Sequence, residues 1–408
     1  MSINIHSKRF KTALLSVSLL LSEAGAVSAT LPELAKAFPQ ESQTSIQSFM
    51  TIGAAAIIVC TLLAGGLAGK IGKRRLTLIG IALIAVAGMG PLLFIPMGNF
   101  SALLLSRLVV GAGMGLLQPL SSSVIADFFH GRDRENMLGW QSSAVGAGSV
   151  VWTLIVGAFM LWDWKAAFFV YAFGLVSLVL FALYVPEPPK HALPDAPETP
   201  VIKAPRWYRL SADVWIAAIL MLVFNIGFQT LFVAMPLAFV AEKHLIEPPA
   251  VSLIMTSFGV ASVAAGIVFG FVMRRLRNWT GAVAAGTVAA ALIVCANATS
   301  APFGYTAAIV AGLGFGTFMP FFITTTNNRA TPETSAMATA VLFTGAAVGT
   351  AVTPYYFEAF GSFIGDGSAT VQLILGAVTV LVVAILTGFR YGALRHAAHT
   401  EVKTLEQV

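Results

Sequence analysis

The sequence predicts an all-α polytopic membrane protein: twelve transmembrane helices in two pseudo-symmetric six-helix bundles. Three observations point there. Apolar stretches of bilayer length follow one another along nearly all of the 408 residues. Charged residues make up only 10% of the chain, against 57% for AVILMFWYC; soluble domains carry about 25% charged residues. Mean hydropathy is +0.84. A bilayer core of ~30 Å asks for ~20 apolar residues per helical crossing, so twelve crossings leave only short loops and no extramembrane domain large enough for separate chemistry.

Apolar windows and their breaks place the spans near 13–31, 46–69, 76–95, 102–127, 137–159 and 165–185, then 213–239, 251–273, 280–298, 304–326, 336–357 and 369–389. The first follows Lys8, Arg9 and Lys11. It is read as a mature helix, because no small-residue cleavage site follows and further spans come at once. Between spans six and seven, Val185 to Ser211 is rich in proline and charge, which favours extended backbone. The expected organisation is therefore an N-terminal bundle over 1–186, a cytoplasmic linker over 187–211 and a C-terminal bundle over 212–408.

Basic residues set the expected topology. With both termini cytoplasmic, 20 of the 24 Lys/Arg fall on the inner side, including the loops Lys70–Arg75 and Arg274–Arg277. The outer side holds Lys36, Lys165 and Lys243, and Arg107 lies inside a span. The positive-inside rule predicts such a bias for an even number of spans in an inner membrane. The net charge of +6 then reports orientation, and no soluble basic face exists to bind nucleic acid.

The halves repeat at an offset of 205 residues: Met50-Thr51, Gly65 and a basic loop recur as Met255-Thr256, Gly270 and a basic loop. Two such bundles can rock about a midplane site. Chemistry of other kinds has no residues to work with. The six histidines lie in loops or tails, no nucleophile–base pair or Gly-Lys-Ser/Thr phosphate loop occurs, and Cys60 and Cys295 fall singly within spans as packing residues. Neither an enzyme nor a cofactor or metal centre is expected.

Glu23 stands apart. Of 18 Asp/Glu, it alone falls well inside a predicted span, while Asp127, Asp213 and Glu358 lie near span ends. An ionised carboxylate in hydrocarbon costs at least ~2.5–3.5 kcal/mol on insertion scales, so such a group faces a cavity and exchanges protons, or is held by a neighbouring helix. Ser16, Glu23 and Thr30 recur every seven residues, which places them on one stripe of a continuous helix. Two roles are open to Arg107, the other intramembrane charge: tuning or guiding the proton, or neutralising a buried acid and bracing the first half. In span seven, Asn225 and Gln229 stand one turn apart and share a face.

Gly65-Gly66-Leu67-Ala68-Gly69-Lys70-Ile71-Gly72-Lys73-Arg74 resembles the signature loop of the major facilitator superfamily, Gly-x-Leu-Ala-Asp-Arg-x-Gly-Arg-Lys. Glycines there allow close helix approach and a tight turn. The family's Asp, part of a latch on the outward-facing state, is Gly69 here, so any latch is weaker or built otherwise. Arg107 with Gly111, the loop from Asp127 to Asn136, and Trp162-Asp163-Trp164-Lys165 before Phe168-Phe169 resemble further family motifs in the right order. Glu23 nine residues before Pro32 resembles the first span of the 12-helix drug:proton antiporter branch. The branch's span-five signature is poorly kept: Thr153-Leu154 stands where Gly-Pro is expected.

The resemblance implies a monomeric secondary transporter driven by a proton gradient, with a small-molecule substrate, protons and the lipid bilayer as its partners. Glu23 and Arg107 would couple the proton. Spans 1, 4, 7 and 10 with parts of 2, 5, 8 and 11 would line the cavity. That offers Asn225, Gln229, Phe224, Phe228, Phe232, Gln118, Gln141, Trp152, Phe318 and Phe343, with Phe315, Met319 and Phe322 nearby. Aromatic lining with a few uncharged hydrogen-bonding groups suits amphipathic organic molecules. Proton-coupled export of such compounds is the first expectation, and symport or facilitated uptake of a small metabolite the alternative.

Overall fold

The computed structural model describes residues 7–22, 25–129, 131–188, 210–329 and 335–393. Ten helical stretches among them are long and apolar enough to cross a bilayer. One, Pro248–Ala296, runs for 49 residues and holds two crossings joined at Arg277–Trp279. The first predicted span is broken into pieces each too short to cross alone. With both features counted, the architecture is the twelve-helix one expected from hydropathy. Most of the predicted linker lies outside the described residues.

The chain forms two compact units, Met1–Pro205 with Glu247–Thr256, and Arg206–Ile246 with Ser257–Val408. In the first unit the helices are α1 (Lys8–Leu20), α2 (Leu31–Ala37), α3 (Gln43–Thr51), α4 (Gly53–Ile71), α5 (Lys73–Gly88), α6 (Pro91–Phe94), α7 (Phe100–Phe128), α8 (Gly131–Met160) and α9 (Phe173–Tyr184). The second has α10 (Ala212–Phe228), α11 (Thr230–Val233), α12 (Met235–Leu237), most of α13 (Pro248–Leu276), α14 (Thr280–Ala296), α15 (Ala301–Arg329), α16 (Ser335–Ile364) and α17 (Ala369–Thr387). Starts are capped as polar side chains ahead of apolar runs predict. Ser7 Oγ accepts from the Phe10 amide at 3.3 Å, Ser42 Oγ from Ser45 at 3.1 Å, and Asn99 Oδ1 from Ala102 at 3.0 Å.

Small residues set how closely the helices pack. In lipid, helices gain little from apolar burial against one another, so close backbone approach at glycine carries much of the association. In α7, a Cβ on Gly111, Gly113 or Gly115 would strike the carbonyl oxygens of Gly53, Gly80 and Ile57, the last two at 2.7 and 2.6 Å. In α15, Gly312, Gly314 and Gly316 meet the carbonyl oxygens of Phe258, Ala284 and Ser262 in the same way. Two of the three partners keep the 205-residue offset, since 53 becomes 258 and 57 becomes 262, while Gly80 and Ala284 stand 204 apart and the glycines themselves 201. One Gly-x-Gly-x-Gly segment thus clamps α7 onto α4 and α5, and its repeat clamps α15 onto α13 and α14. Four residues past each lies a proline, Pro119 and Pro320, which cannot donate to the carbonyl of Gly115 or Gly316. In the first unit Thr61 Oγ1 donates to the Gly115 carbonyl instead, at 3.0 Å.

This packing predicts that Gly113→Ala and Gly314→Ala each lower the melting temperature in detergent, with a loss of roughly 1–3 kcal/mol from overpacking. Gly65→Ala, where a Cβ meets no atom within 4 Å, should leave the melt unchanged or raise it, alanine being the better helix former.

Candidate functional site

Arg107 is buried, 4% exposed, and aromatic and backbone groups are among its partners. Helix α3 ends at Thr51 and α4 opens at Gly53, and near this break the Phe49 carbonyl accepts from Arg107 Nε at 3.2 Å. Nη1 donates to Tyr171 Oη at 2.5 Å. The guanidinium carbon sits 4.7 Å from the Phe49 ring centroid and 5.7 Å from that of Tyr171, within cation–π range. Gly88 makes room for Tyr171, since a Cβ there would overlap its ring. These contacts tie α7 to α3 and to the 3₁₀ segment Trp164–Ala172.

Glu23 lies outside the described residues; what flanks it is described. Helix α1 stops at Leu20, and a 3₁₀ segment, Ala26–Thr30, leads into α2. At the stop, the Leu19 carbonyl accepts from Trp152 Nε1 at 2.7 Å and from Ser22 Oγ at 2.9 Å. Trp152 is 3% exposed and meets Phe173 edge to face at 4.8 Å. The seven-residue stripe expected from Ser16 to Thr30 requires a continuous helix, and the break at Leu20 removes it. Ser16 Oγ returns to its own helix at Ala13, while its carbonyl takes Ser177 Oγ from α9 at 3.4 Å. Thr30 Oγ1 returns to Val27.

Between α7 and α8 lies a neutral polar cluster. Gln141 Nε2 donates to Ser121 Oγ at 2.8 Å and to Ser122 Oγ at 3.2 Å, and Gln141 Oε1 is 3.3 Å from Ser122 Oγ. Gln118, one turn before Ser122 on α7, is exposed. The two serines were not singled out from the sequence, although the serine run directly after Gln118-Pro119 was the available signal.

In the second unit, Asn225 is buried and donates from Nδ2 to its own helix at the Met221 carbonyl, 2.9 Å away. It lies against Gly349 of α16. Gln229 is half-buried at the residue where α10 ends. Phe224 and Phe318 stack at 3.7 Å and are wholly buried. Phe228 stacks on Phe315 at 4.5 Å, and Phe232 meets Phe258 at 5.5 Å. Four of the five aromatic candidates therefore join one ladder between α10, α13 and α15. Phe343 is 47% exposed and stands outside it. Phe258, which closes the ladder from α13, was missed because a single Phe in an apolar helix carries no signal.

The loop after α4 is held by charge. Lys73 Nζ reaches both carboxylate oxygens of Asp127, at 2.6 and 2.8 Å. Arg74 donates to the carbonyls of Val185 and Ala182, both at 2.6 Å, capping the end of α9 as cations do at helix C-termini. Gly72 turns the chain at φ +95°, against the Glu187 carboxylate. The loop glycines were expected to allow close helix approach and a tight turn; Gly65 and Gly69 meet nothing within 4 Å of an added Cβ. The turn, at Gly72, is where glycine is required. Lys70 is exposed. No cluster of metal-binding side chains occurs among the described residues.

A profile of the family described as Major Facilitator Superfamily matches residues 13–354 and again 217–406. The chain is 26% identical over 202 residues to the quinolone resistance protein NorA of Staphylococcus aureus, covering 48% of this chain and 49% of that protein. It is 35% identical over 140 residues to an MFS-type transporter of Mycobacterium tuberculosis, 33% of this chain and 23% of the relative. The match thus spans half or less of each relative's length. A crystal structure of a D-xylose-proton symporter superposes with a TM-score of 0.68 at 16% identity, covering 94% of this chain and 98% of that one. At that identity the likeness is one of fold.

Tyr171→Phe removes one charge-assisted bond to Arg107, and Arg107→Gln strips the charge from the whole cluster. Thermal melts should show a loss of about 1–2 kcal/mol for the first and about 3 kcal/mol or more for the second. Equal losses would mean that the ring hydroxyl is the only contact of consequence.

Proposed function

We propose a coupling ion and a substrate class for this chain from one premise: it belongs to the major facilitator superfamily. It is a multi-pass membrane protein that moves a small molecule by alternating access as a secondary-active transporter. In our reading the coupling ion is the proton, and Glu23 carries it. One observation supports this above others: Glu23 is the sole acid well inside a predicted span, where an ionisable group is functional by default. The flanking helix is cut short just before it, and interrupted helices are where secondary transporters build ion sites.

The substrate is a small organic molecule that offers uncharged hydrogen-bonding groups and an apolar face. Gln118, Gln141, Ser121 and Ser122 would contribute the first kind of contact in the first unit, with Asn225 and Gln229 in the second. Phe228 and Phe232, at the less buried end of the aromatic ladder, would contribute the second kind. Phe343 remains a candidate on its exposure alone.

For direction, uptake by proton symport or facilitation is placed first. The antiporter signature of span five is poorly kept: α8 contains no proline, whereas α7, α15 and α16 each do. The acid of the signature loop is also replaced, by Gly69. Proton-driven export of amphipathic compounds, the multidrug antiport reading, is kept second because the name of one relative records quinolone resistance.

Proteoliposomes with an imposed pH gradient, acid outside, test both parts against a panel of labelled sugars, nucleosides, peptides and dyes. Gradient-driven accumulation of one class is the expected result, and extrusion of several unrelated dyes would reverse the order of the two readings. Glu23→Gln should cut concentrative transport at least about tenfold while leaving solute exchange without a gradient. Undiminished concentrative transport in that variant would remove Glu23 from the mechanism.

A further inference from the structure

The two basic loops of the repeat are used differently. After α4, Lys73 is taken by Asp127 and Arg74 by the carbonyls ending α9. The position 205 residues after Arg74 is Trp279, which packs on the end of α17 and the segment beyond it: a Cβ on Gly388 or Gly392 would lie 3.1 or 2.8 Å from the indole. Docking of this loop is thus apolar. Its cations, Arg274, Arg275 and Arg277, are all exposed, and none of the three guanidinium groups forms an ion pair or hydrogen bond among the described residues.

The turn that carries them is fixed in place. Arg277 adopts φ 49°, in the left-handed region, and its carbonyl accepts from Thr280 Oγ1 at 2.7 Å. The approach along α13 is apolar and open: Ile267 is 80% exposed and Phe271 66%. Residues 267, 271, 274 and 275 fall on one side of the helix by their i, i+4, i+7, i+8 spacing. Arg274 folds back along that side, its Nη1 reaching within 3.8 Å of the position a Cβ would take on Gly270. An exposed apolar strip that ends in unpaired guanidinium groups, with the half-exposed indole of Trp279 beside them, matches one kind of molecule end to end.

We propose that this loop is a binding site for an anionic phospholipid. The phosphate would sit among Arg274, Arg275 and Arg277, the acyl chain along Ile267 and Phe271, and Trp279 at the interface between them. Guanidinium groups suit phosphate through paired N–H donors, and basic clusters next to a span attract anionic headgroups. A free phosphate would satisfy the arginines alone and leave the apolar strip without purpose, so a lipid is the occupant that accounts for both.

The test is native mass spectrometry of the full chain in detergent, titrated with phosphatidylglycerol or phosphatidylcholine. Wild type should bind phosphatidylglycerol at least about tenfold more tightly. The combined Arg274→Gln, Arg275→Gln, Arg277→Gln variant should lose that preference, as should Phe271→Asn in part. Lys8→Gln with Arg9→Gln and Lys11→Gln removes equal charge elsewhere and should retain affinity within about twofold. Unchanged binding in the arginine variant would overturn the proposal. So would an equal loss in the N-terminal control, which marks diffuse charge, or displacement of the lipid by millimolar inorganic phosphate, which marks a simple anion site.

Discussion

Inside a bilayer no water is at hand for a backbone group that a broken helix leaves unpaired, and each such group costs several kcal/mol. Helices in this protein nevertheless break or stop within or beside the membrane, and at several of these places a side chain from another element meets the exposed backbone. Arg107 reaches the Phe49 carbonyl beside the α3–α4 break. Trp152 reaches Leu19 where α1 stops, and Thr61 meets Gly115, whose usual donor is a proline. Arg74 caps α9, and Lys243 Nζ caps α14 through the carbonyls of Ala296 at 2.5 Å and Ala298 at 3.1 Å. At an opposite pole, the Glu242 carboxylate takes the first amides of α17, Ala369 at 2.5 Å and Thr370 at 3.1 Å. Arg107, Trp152, Thr61, Arg74, Lys243 and Glu242, a scattered handful in the sequence, share this work.

That commitment shapes what is left for transport. Arg107 and Trp152 both sit where a coupling or cavity role was expected; Trp152 gives its donor to the Leu19 carbonyl, and Arg107 gives Nε to the Phe49 carbonyl and Nη1 to the Tyr171 hydroxyl. Trp152 would then act on any coupling at Glu23 through the position of the first span. The glycine clamps in α7 and α15 add the complementary feature, bringing the backbones of each helix and its partners into close contact. Divergence between the repeats is concentrated in side chains: a Gln–Ser cluster on α7 and α8, an aromatic ladder on α10, α13 and α15. Such asymmetry gives the two units distinct chemistry on a shared frame.

Much of the frame was legible because hydropathy and helix length are properties of single segments. Twelve spans, their order and the 205-residue repeat all follow from local pattern. The break in α1 was not legible, since an apolar window reads alike whether its helix is continuous or cut, and the predicted Ser16–Glu23–Thr30 stripe failed for that reason. Arg107 was recognised as unusual, yet its carbonyl partner was out of reach because backbone acceptors carry no residue identity. The Gly-x-Gly-x-Gly repeat was present in plain view; only the carbonyls it faces reveal its purpose. Asn225 and Gln229 were expected to share a face from their spacing; the end of α10 between them gives them different surroundings.

Hydrogen exchange at the α3–α4 joint, residues 47–55, tests the side-chain support of broken backbone most directly. Measured in detergent by mass spectrometry, Arg107→Gln should raise exchange there severalfold, while Tyr171→Phe, which spares the bond to Phe49, should leave the joint near wild type. Exchange at the joint that ignores the loss of Arg107, or rises equally in both variants, would contradict the account.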